Sequence, residues 1–209
     1  MRKPTVHYKS LRKNLRGISG ILRGVPDHIN QTNMHHLKVQ SYLFLCHSAF
    51  EVYIENVTKL IIDTSVMNFH RNRKINSCIL SLITHETFAQ LDEDTPRRSI
   101  SVNITKNLSS FLEIAKTNHH GIVNSNNGIK LKDQRKLLLP AGLNPEEIDL
   151  ATANALDAFG TKRGAIAHTF KIQIADTKSS ASSEVNNILN GLKSTDDAAV
   201  DLLRSHMTV

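Results

Sequence analysis

Tryptophan is absent from this chain and aromatic residues of any kind make up only 5% of it, so the stacking platforms with which single-strand binders hold bases are not encoded. Any contact with nucleic acid is expected to run through phosphate. Cysteine is scarce too. Cys46 and Cys78 are the only two, each in an apolar helical context where a free thiol serves as a small buried hydrophobe rather than as half of a disulfide. No run of eighteen apolar residues occurs, and the basic N-terminus lacks the apolar stretch of a signal peptide, so no membrane association is expected and the expected location is cytoplasmic. A phosphate-cradling glycine loop, a serine elbow and a paired-cysteine motif are also missing, which leaves nucleotide hydrolysis and acyl transfer unsupported.

Histidine is plentiful, with 11 copies, and invites a search for metal. His35-His36 and His119-His120 are adjacent pairs, which point in different directions on a helix and lack a further partner at ligand spacing. No metal and no other cofactor is expected. Positive charge is the larger excess: 26 Lys and Arg against 19 Asp and Glu give a net charge of +7 and a pI near 9.5. That balance points to a polyanionic partner, with RNA the expected one. At 209 residues and 40% hydrophobic, the chain is long enough for one well-buried core.

Between Arg2 and Arg23 there are seven basic residues and no acidic one, interrupted by Gly17, Gly20 and Gly24. Residues 1–33 therefore read as a basic N-terminal arm. Arg12, Lys13 and Arg16 are its candidate RNA-binding residues, and the alternative is a partly helical, solvated extension. From Met34 to Met67 apolar residues such as Tyr42, Cys46, Ala49, Tyr53, Val57, Leu60 and Ile61 recur every three or four positions, which predicts a long buried helix. His47 and Glu51 fall one turn apart along it. Further helices are expected over Asn76 to Leu91, Ile104 to Thr117 and Lys132 to Leu139, with a loop from Asn118 to Gly128. Asn144-Pro145-Glu146-Glu147 opens another helix, with proline at its first position. Phe159-Gly160-Thr161 reads as the end of that helix and the capped start of a new one. Residues 176–209 read as a polar linker over Asp176 to Ser183 and a C-terminal helix packed on the same domain, which itself spans 34–175. No alternation long enough for a sheet occurs, so the fold class is all-α.

One segment places a permanent cation and a titratable imidazole on an apolar helical stretch: Arg163-Gly164-Ala165-Ile166-Ala167-His168. Imidazole both takes and gives a proton near neutral pH, and guanidinium matches phosphate oxygens with two parallel hydrogen bonds. The pair suits cleavage of a phosphodiester whose own 2′-hydroxyl is the nucleophile, hence RNA rather than DNA. The same spacing from Arg23 to His28 is interrupted by Pro26 and is discarded. If Thr161 caps a new helix, Arg163 lies in a first turn, where free backbone amides favour phosphate. Five residues at about 100° each separate Arg163 and His168 by roughly 140° around a helix. One straight helix does not aim both at one atom, so either the turn is distorted or two chains pool their residues across a two-fold axis.

The long helix bearing Glu51, the following helical hairpin and the late Arg163-to-His168 motif together resemble the HEPN superfamily, and within it the RiboL-PSP branch. The resemblance implies an up-and-down bundle of four to five core helices with extra terminal helices. It further implies a homodimer formed through the motif helix and a metal-independent endoribonuclease of toxin–antitoxin or antiphage systems, with a neutralising antitoxin as a partner. By that resemblance Arg163 and His168 take the catalytic positions and the products are a 2′,3′-cyclic phosphate and a 5′-hydroxyl; Glu51, His47 and Lys162 are supporting candidates. The superfamily often carries a polar residue such as asparagine after the arginine, and here it is Gly164. The alternative is a non-catalytic helical module of the same kind that binds RNA or a protein.

Overall fold

The computed structural model describes residues 3–27, 32–92, 97–169 and 176–205, apart from the side chains of 91, 92, 97, 98, 103, 105 and 165–169. Among the described residues the elements are helical throughout. They are α1 (Val6–Ile18) with a 3₁₀ turn after it (Ser19–Leu22), α2 (Asn33–Asn72), α3 (Ser77–Asp92), α4 (Arg97–Asn124), α5 (Leu131–Leu138), α6 (Pro145–Thr169) and α7 (Lys178–Arg204). The all-α class read from the sequence is the observed one.

The axis of the bundle is α2. Its buried residues, among them Val39, Tyr42, Cys46, Phe50, Tyr53, Ile54, Val57, Ile61 and Phe69, cover much of its circumference, so other helices wrap most of it and leave one strip exposed. Contacts from α1, α3, α4, α5, α6 and α7 all reach it. Both cysteines are buried and free.

The first segment is not an arm. Tyr8, Leu11 and Leu15 line one face of α1 and join the common core together with Leu22 and Val25. Its start is fixed by Thr5, whose hydroxyl accepts from the amide of Tyr8 at 3.1 Å and whose own amide donates to Asp196 of α7 at 3.0 Å. Composition hid this, because basic residues fill the outer face of an amphipathic helix whose apolar residues are few. The C-terminal region differs in the same way. Where a polar linker was expected, α7 begins at Lys178 behind the cap of Thr177, which accepts from the Ser180 amide at 3.1 Å, and Ala181 is already fully buried.

The loop expected over Asn118 to Gly128 is also shorter, since α4 runs on to Asn124. Its buried positions Phe111, Leu112, Ala115, His119 and Val123 keep helical spacing through the polar stretch, so tertiary burial overrides local composition. The backbone of α4 departs from helical geometry at Asn107, whose side chain accepts from Ser110 Oγ at 2.9 Å.

The most consequential difference lies in α6. No helix ends at Gly160, and Thr161 caps nothing. The interruption sits instead at Asp149 (φ −162°, ψ 91°), whose carboxylate accepts from the Thr152 amide at 3.0 Å and its hydroxyl at 2.8 Å. Gly160 has a packing role. A Cβ there would lie 3.2 Å from Lys130 Cγ and 3.3 Å from Ile129 Cγ1, so glycine lets the segment before α5 cross over α6 at close range.

Candidate functional site

That crossing builds one wall of a cleft of about 190 Å³, floored by His47 of α2 and closed on the other side by Arg163 and Gly164 of α6. The crossing segment is held by a chain of polar ties. Asn126 donates to Glu55 at 2.9 Å and to the Gly128 carbonyl at 3.1 Å. Buried Gln134 donates to the carbonyls of Ile129 and Ala153 at 2.9 and 3.0 Å. Asp157 of α6 accepts from the Leu131 amide at 2.8 Å, and Asp133 accepts from the Lys130 amide at 3.2 Å. The cleft wall is thereby tied to α2 and α6 by side-chain hydrogen bonds.

Arg163 sits about four turns beyond the restart of α6 at Asp149, so no free backbone amides surround it and the expected first-turn anion site does not exist. What surrounds it is side chain. Its guanidinium carbon lies 4.9 Å from the ring centroid of Phe44, a cation–π geometry. Its Nε is buried without a hydrogen-bond partner, as are His47 Nδ1 and Glu51 Oε1. Buried polar atoms are normally satisfied; of those without a partner among the described residues, the atoms of Arg163 and His47 belong to side chains lining this cleft, and Glu51 lies one turn from His47.

The electrostatics of these groups are coupled. Burial, reinforced by the Arg163 charge, pushes His47 down to about 4, so its ring is neutral at physiological pH. The ring is 1% exposed and stacks on Phe159, centroids 6.4 Å apart and planes 12° from parallel. Burial also raises the Glu51 carboxyl above its ordinary value, as do Glu55 and Asp133, while Arg163 opposes them. His47 Nδ1 and Glu51 Oε2 stand 3.9 Å apart, too far for a hydrogen bond. The one-turn pairing read from sequence is a true neighbourhood, held by packing.

Of the other candidates, Lys162 does not face the cleft as a free cation. Its ammonium is tied to Asp176 at 2.6 Å and to Glu184 at 3.0 Å. Burial alone would lower its pKa, but the two carboxylates outweigh that and hold it above the usual value. Lys162 therefore staples α6 to the start of α7. His168 stands on the last turns of α6, and its side chain lies outside the described residues. Arg12, Lys13 and Arg16 are on α1. Tyr42, which faces Arg12 and Arg16 across α2's surface, is two residues from Phe44, or about 200° around α2, so these cations lie away from Arg163. Phe44, Lys130, Lys132 and Asp133 were missed by sequence reading. The aspartate alone had a signal, as the third residue of a helix whose first amide it caps. Among the described residues no group of three or more His, Cys, Asp or Glu is placed to hold a metal ion.

A bundle of this kind, with a central long helix and a late helix bearing the arginine of an Arg-x-x-x-x-His motif, is a HEPN-class architecture. The chain belongs to the RiboL-PSP-HEPN family, whose sequence profile matches residues 8–201. The match includes most of α1, in keeping with its place in the core. No curated protein and no solved structure matches the chain. Membership associates the protein with ribonuclease-type or RNA-related function. No helix among the described residues is long and apolar enough to cross a membrane.

Proposed function

We propose that the protein is a metal-independent endoribonuclease acting as a homodimer, an effector of toxin or antiphage type. The observation that carries this reading is Arg163 itself: a half-buried side chain whose buried Nε has no hydrogen-bond partner, at the mouth of a cleft, on the helix that bears the family's motif. In the proposed reaction the 2′-hydroxyl of one nucleotide attacks the adjacent phosphorus while the bond to the 5′-oxygen breaks. One His168 takes the hydroxyl proton and the His168 of a second copy gives a proton to the departing oxygen. Arg163 stabilises the charge on the phosphoryl oxygens. The products are a 2′,3′-cyclic phosphate and a 5′-hydroxyl.

Support for the dimer comes from α2. Met34, Leu45 and Val52 fall within about 20° of one another around the helix, and each is 43% or more exposed. This apolar line runs beside the Phe44 and Glu51 side of α2, and it fits a second copy bringing its own α6 to the same cleft. A neutralising antitoxin would have to cover the same face.

The test is RNA cleavage by the wild type and by His168→Ala in the presence of a chelator, with end-group analysis of the products. Cleavage that survives chelation and is lost in the variant supports the proposal. A wild type that does not cut, or a variant that cuts equally well, overturns it and leaves a non-catalytic binding module of the same fold. Analytical ultracentrifugation of the wild type and of Leu45→Glu/Val52→Glu tests the dimer; a monomeric wild type ends that part of the reading.

A further inference from the structure

A second groove, of about 380 Å³, lies between α1 and α7. Its walls follow from helical spacing. Arg12, Leu15, Arg16 and Ser19 come from one side, and Ser182, Val185, Asn186 and Leu189 from the other, each set at i, i+3, i+4, i+7 and so on one face of its helix. Tyr42 of α2 forms the floor. We propose that this groove is a phosphate-binding site, separate from the Arg163 cleft, that takes phosphate groups through Arg12 and Arg16.

Three observations carry it. First, the charged residues that line the groove are both cations. No aspartate or glutamate lines the groove, and among the described residues neither arginine is in an ion pair. The cations that are in ion pairs lie elsewhere, among them Arg135 with Glu146 at 2.7 Å, Lys162 with Asp176, Lys178 with Asp27 at 3.4 Å and Lys193 with Asp197. Second, the geometry suits an anion. Arg12 and Arg16 stand one turn, or about 6 Å along α1, apart, and Asn186, Ser182 and Ser19 add polar groups to the same groove. Guanidinium matches phosphate oxygens with paired donors. Third, Lys9 and Lys13 lie on the same exposed face of α1, within about 100° of arc with the two arginines, and extend the cationic surface beyond the groove. That extension favours the phosphates of a strand over a single free phosphate.

This goes beyond the cleavage reading and does not depend on it, because binding is measured without turnover. The probe is a short fluorescent 2′-O-methyl RNA, which lacks the attacking hydroxyl, titrated against wild type, Arg12→Ala/Arg16→Ala, Arg12→Lys/Arg16→Lys and Arg163→Ala over a range of salt. The double alanine variant is expected to bind roughly tenfold or more weakly at low salt. It should also lose about 1.4 from the slope of log affinity against log salt, near 0.7 for each phosphate contact removed. The lysine pair keeps the slope, and adding Arg163→Ala to both the wild type and the double alanine variant leaves the difference between them unchanged. Adenosine 5′-monophosphate and inorganic phosphate serve as competitors. Competition only at far higher concentration than the strand assigns the groove to a strand, and comparable competition assigns it to a single phosphate group; both sustain the site. Unchanged affinity and slope in the double alanine variant, for every probe, overturn it whether or not the wild type cuts RNA.

Discussion

The guanidinium of Arg163 packs over the ring of Phe44, 4.9 Å from its centroid, while the same charge holds down the pKa of His47 on the next turn of α2. One arginine thus connects α6 to α2 through both a ring contact and a field. Arg163→Gln removes the charge with little change of shape. In that variant His47 is expected to titrate above its present value of about 4, yet below the ordinary imidazole range, because burial is the larger cause and remains. NMR titration of the His47 ring checks this. An unmoved His47 would show that the Arg163 charge does not act on the His47 ring.

Acid should destabilise the fold well before carboxylates titrate. His47 and His119 are each pushed down to about 4, both chiefly by burial, with Arg163 adding to the first and His120 and His85 to the second. Unfolded, each would titrate near 6.5, so between those values the unfolded chain binds more protons and stability falls as pH falls. The contribution is fully present above about pH 7, and roughly 2 kcal/mol per histidine is lost by pH 5. Urea denaturation at the two pH values measures the loss, and His119→Leu should reduce it by about half.

The junction of the two chain ends depends on a buried carboxylate. Asp196 is fully buried and accepts from the Thr5 amide at 3.0 Å, from the Thr5 hydroxyl, and from Tyr53 at 3.4 Å. Asp196→Ala leaves those donors unsatisfied at the start of α1 and is expected to cost roughly 3 kcal/mol. The loss should appear in the denaturation midpoint, with faster amide exchange in α1 than in α3.

Two helical glycines should respond to alanine with opposite signs. A Cβ on Gly191 of α7 would come within 2.8 Å of Thr152 Cβ on α6, whereas one on Gly164 meets nothing within 4 Å. Gly191→Ala is expected to destabilise by about 2 kcal/mol through overpacking. Gly164→Ala is expected to stabilise by roughly 0.5–1 kcal/mol, since it removes backbone freedom at no steric cost. Thermal melts of the two variants side by side decide the matter.

Apolar periodicity alone made α2, α3 and α5 legible to within a few residues, and the arginine that anchors the cleft was singled out with them. His47 and Glu51 were legible as neighbours because one helical turn fixes their relation whatever else the chain does. Asp133, Lys130 and Phe44 were not, because they join Arg163 from separate elements and nothing in their local sequence records that meeting. Gly160 was misread for a related reason. A glycine that ends a helix and one that admits a crossing segment are the same letter, and only the nearness of Lys130, whose Cγ would lie 3.2 Å from a Cβ added at Gly160, distinguishes them.

The sequence by itself determined an all-helical, basic chain with one long buried helix and an Arg163-to-His168 motif, since helical periodicity and net charge are properties of the covalent order. Only the tertiary structure decided that the basic N-terminal segment is a core helix, that Lys162 is a staple between α6 and α7, and that Arg163 answers to a phenylalanine and a histidine rather than to a helix terminus. Those outcomes depend on which surfaces meet, and meeting is set by the simultaneous burial of residues far apart in the chain.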